Sequence, residues 1–216
     1  MKGFFRTKPF AQILIICLVF TLFGCGSAVN EKPSPGAARQ FLKLRGYNFD
    51  EKSFLSAAAA NDVIAVNAFI AARINPNAKN EESGAPALVS AAAHGDMEIV
   101  KALLTGGANV NERDRAGFTA LLRAVQSKQD EVADVLLAQQ NLDLNAQGSN
   151  GLTVLMSYVG RDRTDIVEKL LARKADVNLR DADGDTALHR AAQHGNVKIL
   201  EMLIAHGANP NAKNKL

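Results

Sequence analysis

Residues 184–211, GDTALHRAAQHGNVKILEMLIAHGANPN, decide how the rest of the chain is read. Apolar residues recur there at helical spacing in two short segments, 187–194 and 197–206, joined by a tight Gly195-Asn196 turn and left through a Gly-Ala-Asn exit. Neither segment is long enough to bury its apolar side alone. Related units begin upstream at Gly84, Gly117 and Gly151, so the spacings up to Gly184 are 33, 34 and 33 residues. A unit of this kind is stable only when neighbours cover its faces, and the chain is expected to be an array.

A further unit is visible from about Asp50, through Phe54-Leu55-Ser56-Ala57-Ala58, Asn61-Asp62 and Asn75-Pro76-Asn77. The hexapeptide NPNAKN occurs at 75–80 and again at 209–214, 134 residues apart, which is four periods of 33 plus two single insertions. One insertion falls after Asn77 and the other within 139–142, and the total is five units. Leu88, Leu121, Leu155 and Leu188, with Ala91, Ala124 and Ala191, stripe the first helices. Ile99, Val132, Ile166 and Ile199, with Leu103, Leu136, Leu170 and Leu203, stripe the second. Small alanines among leucines let helix pairs approach and stack, so these positions are read as core. Gly95 and Gly195 stand at the turn between the paired helices, where a left-handed residue is wanted, and Asn61, Lys128 and Asp162 fill the same place. Asn and Asp tolerate that conformation, whereas a lysine costs about 1 kcal/mol there. The middle of the array is therefore expected to be looser or its turn differently shaped.

These units resemble ankyrin repeats. Gly184-Asp185-Thr186-Ala187-Leu188-His189 stands close to the family's G-x-T-P-L-H, and Gly107-Ala108-Asn109-Val110-Asn111 to its G-A-D-V-N; the likeness runs from about residue 50 to the end. It implies an all-α solenoid of five helix-turn-helix repeats with β-hairpin-like loops, divided at about 50–83, 84–116, 117–150, 151–183 and 184–216. It also implies that the His189 ring bonds Thr186. A short one-sided helix with Phe41 and Leu44, within 37–49 and ended by Gly46, is expected to cap the first repeat.

The basic balance of the whole chain, +3 with a pI near 8.9, does not indicate nucleic acid. Residues 1–24 hold Lys2, Arg6 and Lys8 and no acid, which leaves 22 basic against 22 acidic side chains from residue 25 onward. That leader has a basic start and an apolar run of 14 residues, 10–23, too short for a span of about 20 but suited to a signal-peptide core. Its end, Leu22-Phe23-Gly24-Cys25, resembles the bacterial lipobox. The resemblance implies cleavage after residue 24 and lipidation of Cys25, with the protein lipid-anchored in a bacterial cell envelope. Gly26, where an Asp would favour the inner membrane, points to the outer membrane, facing the periplasm. A single myristoyl chain binds membranes only marginally, whereas several chains on one cysteine anchor almost permanently. Residues 27–36, SAVNEKPSPG, then read as a flexible tether. The other cysteine, Cys17, leaves with the leader, so neither a disulfide nor a cysteine-based metal site is expected.

No P-loop, G-x-S-x-G, H-E-x-x-H or cysteine nucleophile occurs, and Asp181 and Asp183 read as solvated loop carboxylates. Catalysis, cofactors and metals are not expected; His94, His189, His194 and His206 form no ligating pattern. The ankyrin resemblance implies instead a protein partner on the concave face made by hairpin tips and first helices. The family's contact positions fall here on Arg115, Phe118, Gln126, Asn150, Leu152, Arg161, Asp183, Asp185, Gln193 and His194, among others. Phe118 and Leu152 are apolar at places that would face water in a monomer, and Arg115 and Arg161 flank them, the pairing of anchors that protein interfaces use. The function expected is a membrane-tethered adaptor or scaffold, or alternatively an inhibitor or immunity-type protein that blocks one envelope enzyme. The last repeat has an interior-type apolar helix, so either the tail folds over it or another chain does, and weak self-association or partner docking is expected there.

Overall fold

The computed structural model describes residues 33–215. The leader, Cys25 and most of the proposed tether lie outside the described residues. Among the described residues eleven helices follow one another: α1 (Pro35–Leu44), α2 (Glu51–Ala59), α3 (Val63–Ala71), α4 (Ala87–His94), α5 (Met97–Thr105), α6 (Ala120–Gln126), α7 (Asp130–Leu137), α8 (Val154–Val159), α9 (Thr164–Ala172), α10 (Ala187–His194) and α11 (Val197–Ala205). From α2 onward they pair into five antiparallel helix-turn-helix units, with hairpin-like loops between pairs. Two isolated bridges among the described residues, Lys79 with Pro86 and Arg113 with Thr119, mark those loops as β-like. No helix of the described residues is long and apolar enough to cross a membrane.

First helices form one layer, in which α2, α4, α6, α8 and α10 pack in succession, and second helices form the other. The alanine and leucine stripes are the core: Ala91, Ala124 and Ala191, and the leucines at 88, 121 and 155, are all buried. Leu188 is the exception; it is half-buried because no further first helix stands beyond α10 among the described residues. Threonine starts three of the first helices. The Thr119 and Thr153 hydroxyls accept from the N–H groups of Leu122 (3.3 Å) and Met156 (3.2 Å). In the fifth repeat the Thr186 hydroxyl lies 3.0 Å from the His189 Nδ1, which accepts from the Thr186 N–H at 3.2 Å, as the motif implied.

The turns between paired helices keep one shape. Asn61, Lys128 and Asp162 take φ values of 53°, 59° and 54°, beside 82° and 67° at Gly95 and Gly195, so the lysine is forced into the common turn rather than reshaping it. Arg73 and Lys174, at the ends of second helices, are left-handed as well, at 64° and 62°. The N-terminal helix begins at Pro35, two residues before the expected 37, and takes Pro35 and Gly36 out of the tether. Proline at the first helical position loses no bond, and the Ser34 hydroxyl caps the turn by accepting from the Ala37 N–H at 3.3 Å. This helix packs across α3, burying Ala38 and Leu42.

An asparagine ladder ties successive repeats along the loops that leave the second helices. The side-chain oxygens of Asn77, Asn111, Asn145 and Asn178 accept the backbone N–H of Asn109, Asp143, Asp176 and Asn209 in the next repeat, at 2.8–2.9 Å. Where the extra residue of 139–142 enlarges one loop, Arg173 of the following repeat donates to the Leu137 and Gln139 carbonyls.

Candidate functional site

Hairpin tips and first helices share one face, and the tips are organised by carboxylates. Asp114 Oδ1 accepts from the N–H groups of Ala116 and Phe118, both at 2.9 Å, while Oδ2 takes the Arg123 guanidinium. Asp181 repeats the device: Oδ1 accepts from Asp183 (3.0 Å) and Asp185 (2.9 Å), and Oδ2 pairs with Arg190 at 2.7 Å. Asp181 is 8% exposed, so it is a buried structural anchor and not the solvated loop carboxylate expected from its place in the sequence. Burial opposes its charge, but Arg190 and the two N–H groups outweigh that and hold the carboxyl below its ordinary range.

Each tip also bonds the one before it. The N–H groups of Arg115, Ser149, Ala182 and Lys215 donate to the carbonyls of Ser83 (3.1 Å), Ala116 (2.8 Å), Asn150 (2.9 Å) and Asp183 (2.9 Å). Gly151 permits one such approach: at φ 74°, a Cβ there would stand 2.7 Å from the Asp181 Cα. The column extends through residues 213–215. Arg180 donates to the Lys213 carbonyl, and the Asn214 amide donates to Asp185 Oδ1 at 2.8 Å. The tail therefore docks on the hairpins and leaves the last helix uncovered, with Val197 63% and Ile204 51% exposed.

Between the third and fourth repeats this face opens into a groove of about 210 Å³, lined by Phe118, Leu122, Val125, Gln126, Lys128, Leu152, Ser157 and Arg161. Its volume suits one large side chain; pockets for drug-sized ligands start at about 300 Å³. The wall is built by an exchange between neighbours. The fourth hairpin carries Gly148 where the third and fifth carry Asp114 and Asp181, and a Cβ at 148 would fall 2.4 Å from the Phe118 ring. Phe118 fills that vacated space, and the Arg123 guanidinium stands 4.1 Å from its ring centroid. Phe118 is therefore buried at 7% exposure, contrary to its expected place in solvent. Arg161 is held by two 2.9 Å bonds from one nitrogen to both Asp130 oxygens, and Arg163 reaches the same carboxylate at 3.4 Å. Beneath lies Tyr158, fully buried where other repeats have Ala91, Ala124 and Ala191; burial, and secondarily Asp130, push its hydroxyl up to about 12.

Of the ten predicted positions, Phe118, Gln126, Leu152 and Arg161 meet in this groove. Arg115 lies at a tip, committed to the Glu81 and Glu82 carbonyls. Asn150 is exposed and bonds the Leu152 N–H. Asp183 is exposed at the hairpin tip just before the fifth repeat, and Gln193 and His194 are exposed on the fifth repeat. Asp185 is corrected: it is buried at 8% and accepts from Asn214, so it belongs to the scaffold. Leu122, Val125, Lys128 and Ser157 were not singled out as contacts, although the first three lie on one side of α6 and its turn, at helical spacing from Phe118. Among the described residues no group of three or more His, Cys, Asp or Glu could hold a metal ion.

The family profile for ankyrin repeats (three copies) matches residues 54–148 and 140–214. The chain belongs to the ankyrin-repeat family. Within it, the chain is similar to ankyrin repeat domain-containing protein 49 of Bos taurus, 45% identical over 53 residues, 24% of this chain and 22% of that protein. It is similar also to inversin of Gallus gallus, 48% identical over 48 residues, 22% of this chain and 4% of that protein. A Caenorhabditis elegans homologue of ankyrin repeat and LEM domain-containing protein 1 is 44% identical over 52 residues, 24% of this chain and 7% of that protein. The matched stretches thus span less than a quarter of each relative, which is the length of one or two repeats. Ankyrin repeats generally mediate protein–protein interaction.

Proposed function

We propose that this ankyrin array is a membrane-tethered adaptor or scaffold that holds a protein partner on its hairpin-and-first-helix face. The observation that carries the reading is the groove between repeats three and four, where apolar Phe118, Leu122, Val125 and Leu152 stand beside Arg161 and Lys128. Aromatic and arginine side chains in a partly desolvated pocket are the composition of interface hot spots. The tether is read from Cys25, as the lipidated residue of a bacterial envelope protein directed to the outer membrane. Binding rather than catalysis is the activity read here, because ankyrin repeats generally mediate protein–protein interaction. Val197 and Ile204 offer a further surface for weak self-association, which sedimentation of the purified chain tests by its concentration dependence.

Because Phe118 is part of the scaffold, the informative variant is Leu152→Glu with Arg161→Ala. Crosslinking in intact envelopes is expected to capture a partner with the wild-type chain and at least about tenfold less with the variant, the loss of one good contact. Undiminished capture of the same partner would sink the reading. Stoichiometric loss of a captured enzyme's activity would make the chain an inhibitor instead of an adaptor. Labelling with a radioactive fatty acid, lost in Cys25→Ser, tests the anchor separately.

A further inference from the structure

The turn that closes the groove on one side carries a residue whose backbone does not suit it. Five turns join the paired helices, and their left-handed position is filled by Asn61, Gly95, Lys128, Asp162 and Gly195. Four are residue types that adopt this conformation readily; Lys128, at φ 59°, is not. A residue kept in a conformation that costs stability is a pointer to use, once geometry supplies the use. Here it does: Lys128 is exposed and lines the groove, and its ammonium makes no ion pair or hydrogen bond among the described residues. Arg161, the groove's other cation, is committed to both oxygens of Asp130. Asp130 is neutralised again by Arg163, which also holds Asp165. Arg161 and Arg163 are thus paired with Asp130 and Asp165, and the Lys128 ammonium is the groove cation left without an ion-pair partner among the described residues.

Resting on the binding reading above, we infer that the groove recognises a linear segment of a protein partner in which an Asp or Glu stands next to a large apolar side chain. The apolar side chain enters between Phe118, Leu122, Val125 and Leu152, whose volume of about 210 Å³ admits one such group. The carboxylate meets the exposed Lys128 ammonium at the rim, beside the apolar wall, in a charge-assisted contact. Position 128 is then the specificity determinant: its charge selects which segments bind, while the apolar wall supplies affinity.

The test is selection of a random linear peptide display library on the full chain, in parallel with Lys128→Glu and Lys128→Gly. Wild type is expected to enrich peptides with an acidic residue adjacent to Leu, Ile, Met or Phe. Lys128→Glu is expected to bind those peptides at least about tenfold more weakly and to enrich basic residues at the same place. Lys128→Gly separates recognition from folding: its denaturation midpoint rises, because the strained backbone is relieved, while its affinity for the acidic peptides falls. No enrichment, or enriched peptides indifferent to residue 128, would overturn the inference. If such peptides are still lost in the Leu152→Glu, Arg161→Ala variant, the binding face stands and only the acidic preference fails; if they are not, the binding face fails too. Dimerisation of the chain abolished by Lys128→Glu would give the groove to a second copy and likewise overturn it.

Discussion

Asp181 shows how a single side chain is misjudged from sequence and corrected by its surroundings. A carboxylate in a polar tip looks solvated, yet the hairpin folds around it and supplies two N–H groups, and α10 supplies the Arg190 guanidinium. Its folded-state pKa lies below the ordinary 3.8, so ionisation is linked to folding. The stability it contributes is fully present above that ordinary value and is lost as pH falls through the lower folded value. Asp181→Asn is expected to cost about 2 kcal/mol at pH 7, the scale of hydrogen bonds to a charged group. In urea unfolding followed across the acid range, the gap between variant and wild type should narrow below pH 3.8. A gap independent of pH would mean that shape, not charge, is what the position supplies. Phe118 carries the complementary lesson. Its burial depends on Gly148, a residue 30 positions away whose missing Cβ makes the space, and no local pattern around Phe118 announces that.

At the scale of the element, much was legible because each helix is specified locally. The Thr-x-x-His capping of α10, the alanine and leucine stripes and the left-handed turns are all short-range devices, and the structure shows each of them. What joins one element to the next was less legible, since the ladder asparagines stand in unlike settings, Asn75-Pro76-Asn77, Asn109-Val110-Asn111, Asp143-Leu144-Asn145 and Asp176-Val177-Asn178, that do not announce a bond to the next repeat. Those asparagines use their backbone in one repeat and their side chain to hold the following one. Asn145→Ala removes the acceptor for the Asp176 N–H, a bond of 2.9 Å between repeats three and four. The N–H is left to water, so the expected loss is about 1 kcal/mol. Because the bond couples neighbours and not the inside of a repeat, the urea transition should also broaden, with a smaller slope. An unchanged slope would place the effect within the third repeat.

For the whole molecule, the two ends of the described array are finished differently. At one end α1 lies across α3, and Phe69 is enclosed by the rings of Tyr47, Phe49 and Phe54 with centroids 5.8, 6.3 and 5.7 Å away. At the other, residues 213–215 continue the hairpin column but leave α11 bare. Leu200 is half-buried where its counterparts Val100, Ala133 and Val167 are buried, and Ala192 is exposed where Ala92 and Val125 are not. In an array each repeat gains its stability largely from neighbours, so the fifth repeat, with one neighbour, should open before the third and fourth. Amide hydrogen exchange is expected to show α10 and α11 exchanging through a local opening of lower free energy than α6 to α9. Substitution follows the same gradient. Ile204→Glu on the bare face should change stability by no more than about 0.5 kcal/mol. Leu170→Ala, buried at 1% exposure in the fourth repeat, should cost about 2–5 kcal/mol. Uniform protection along all five repeats would mean that coupling between neighbours exceeds the difference between the ends, and the array would then unfold as one unit. The binding groove lies between repeats three and four, in the stretch expected to open last, so a wall assembled from Phe118 and Gly148 stays formed while the ends fray.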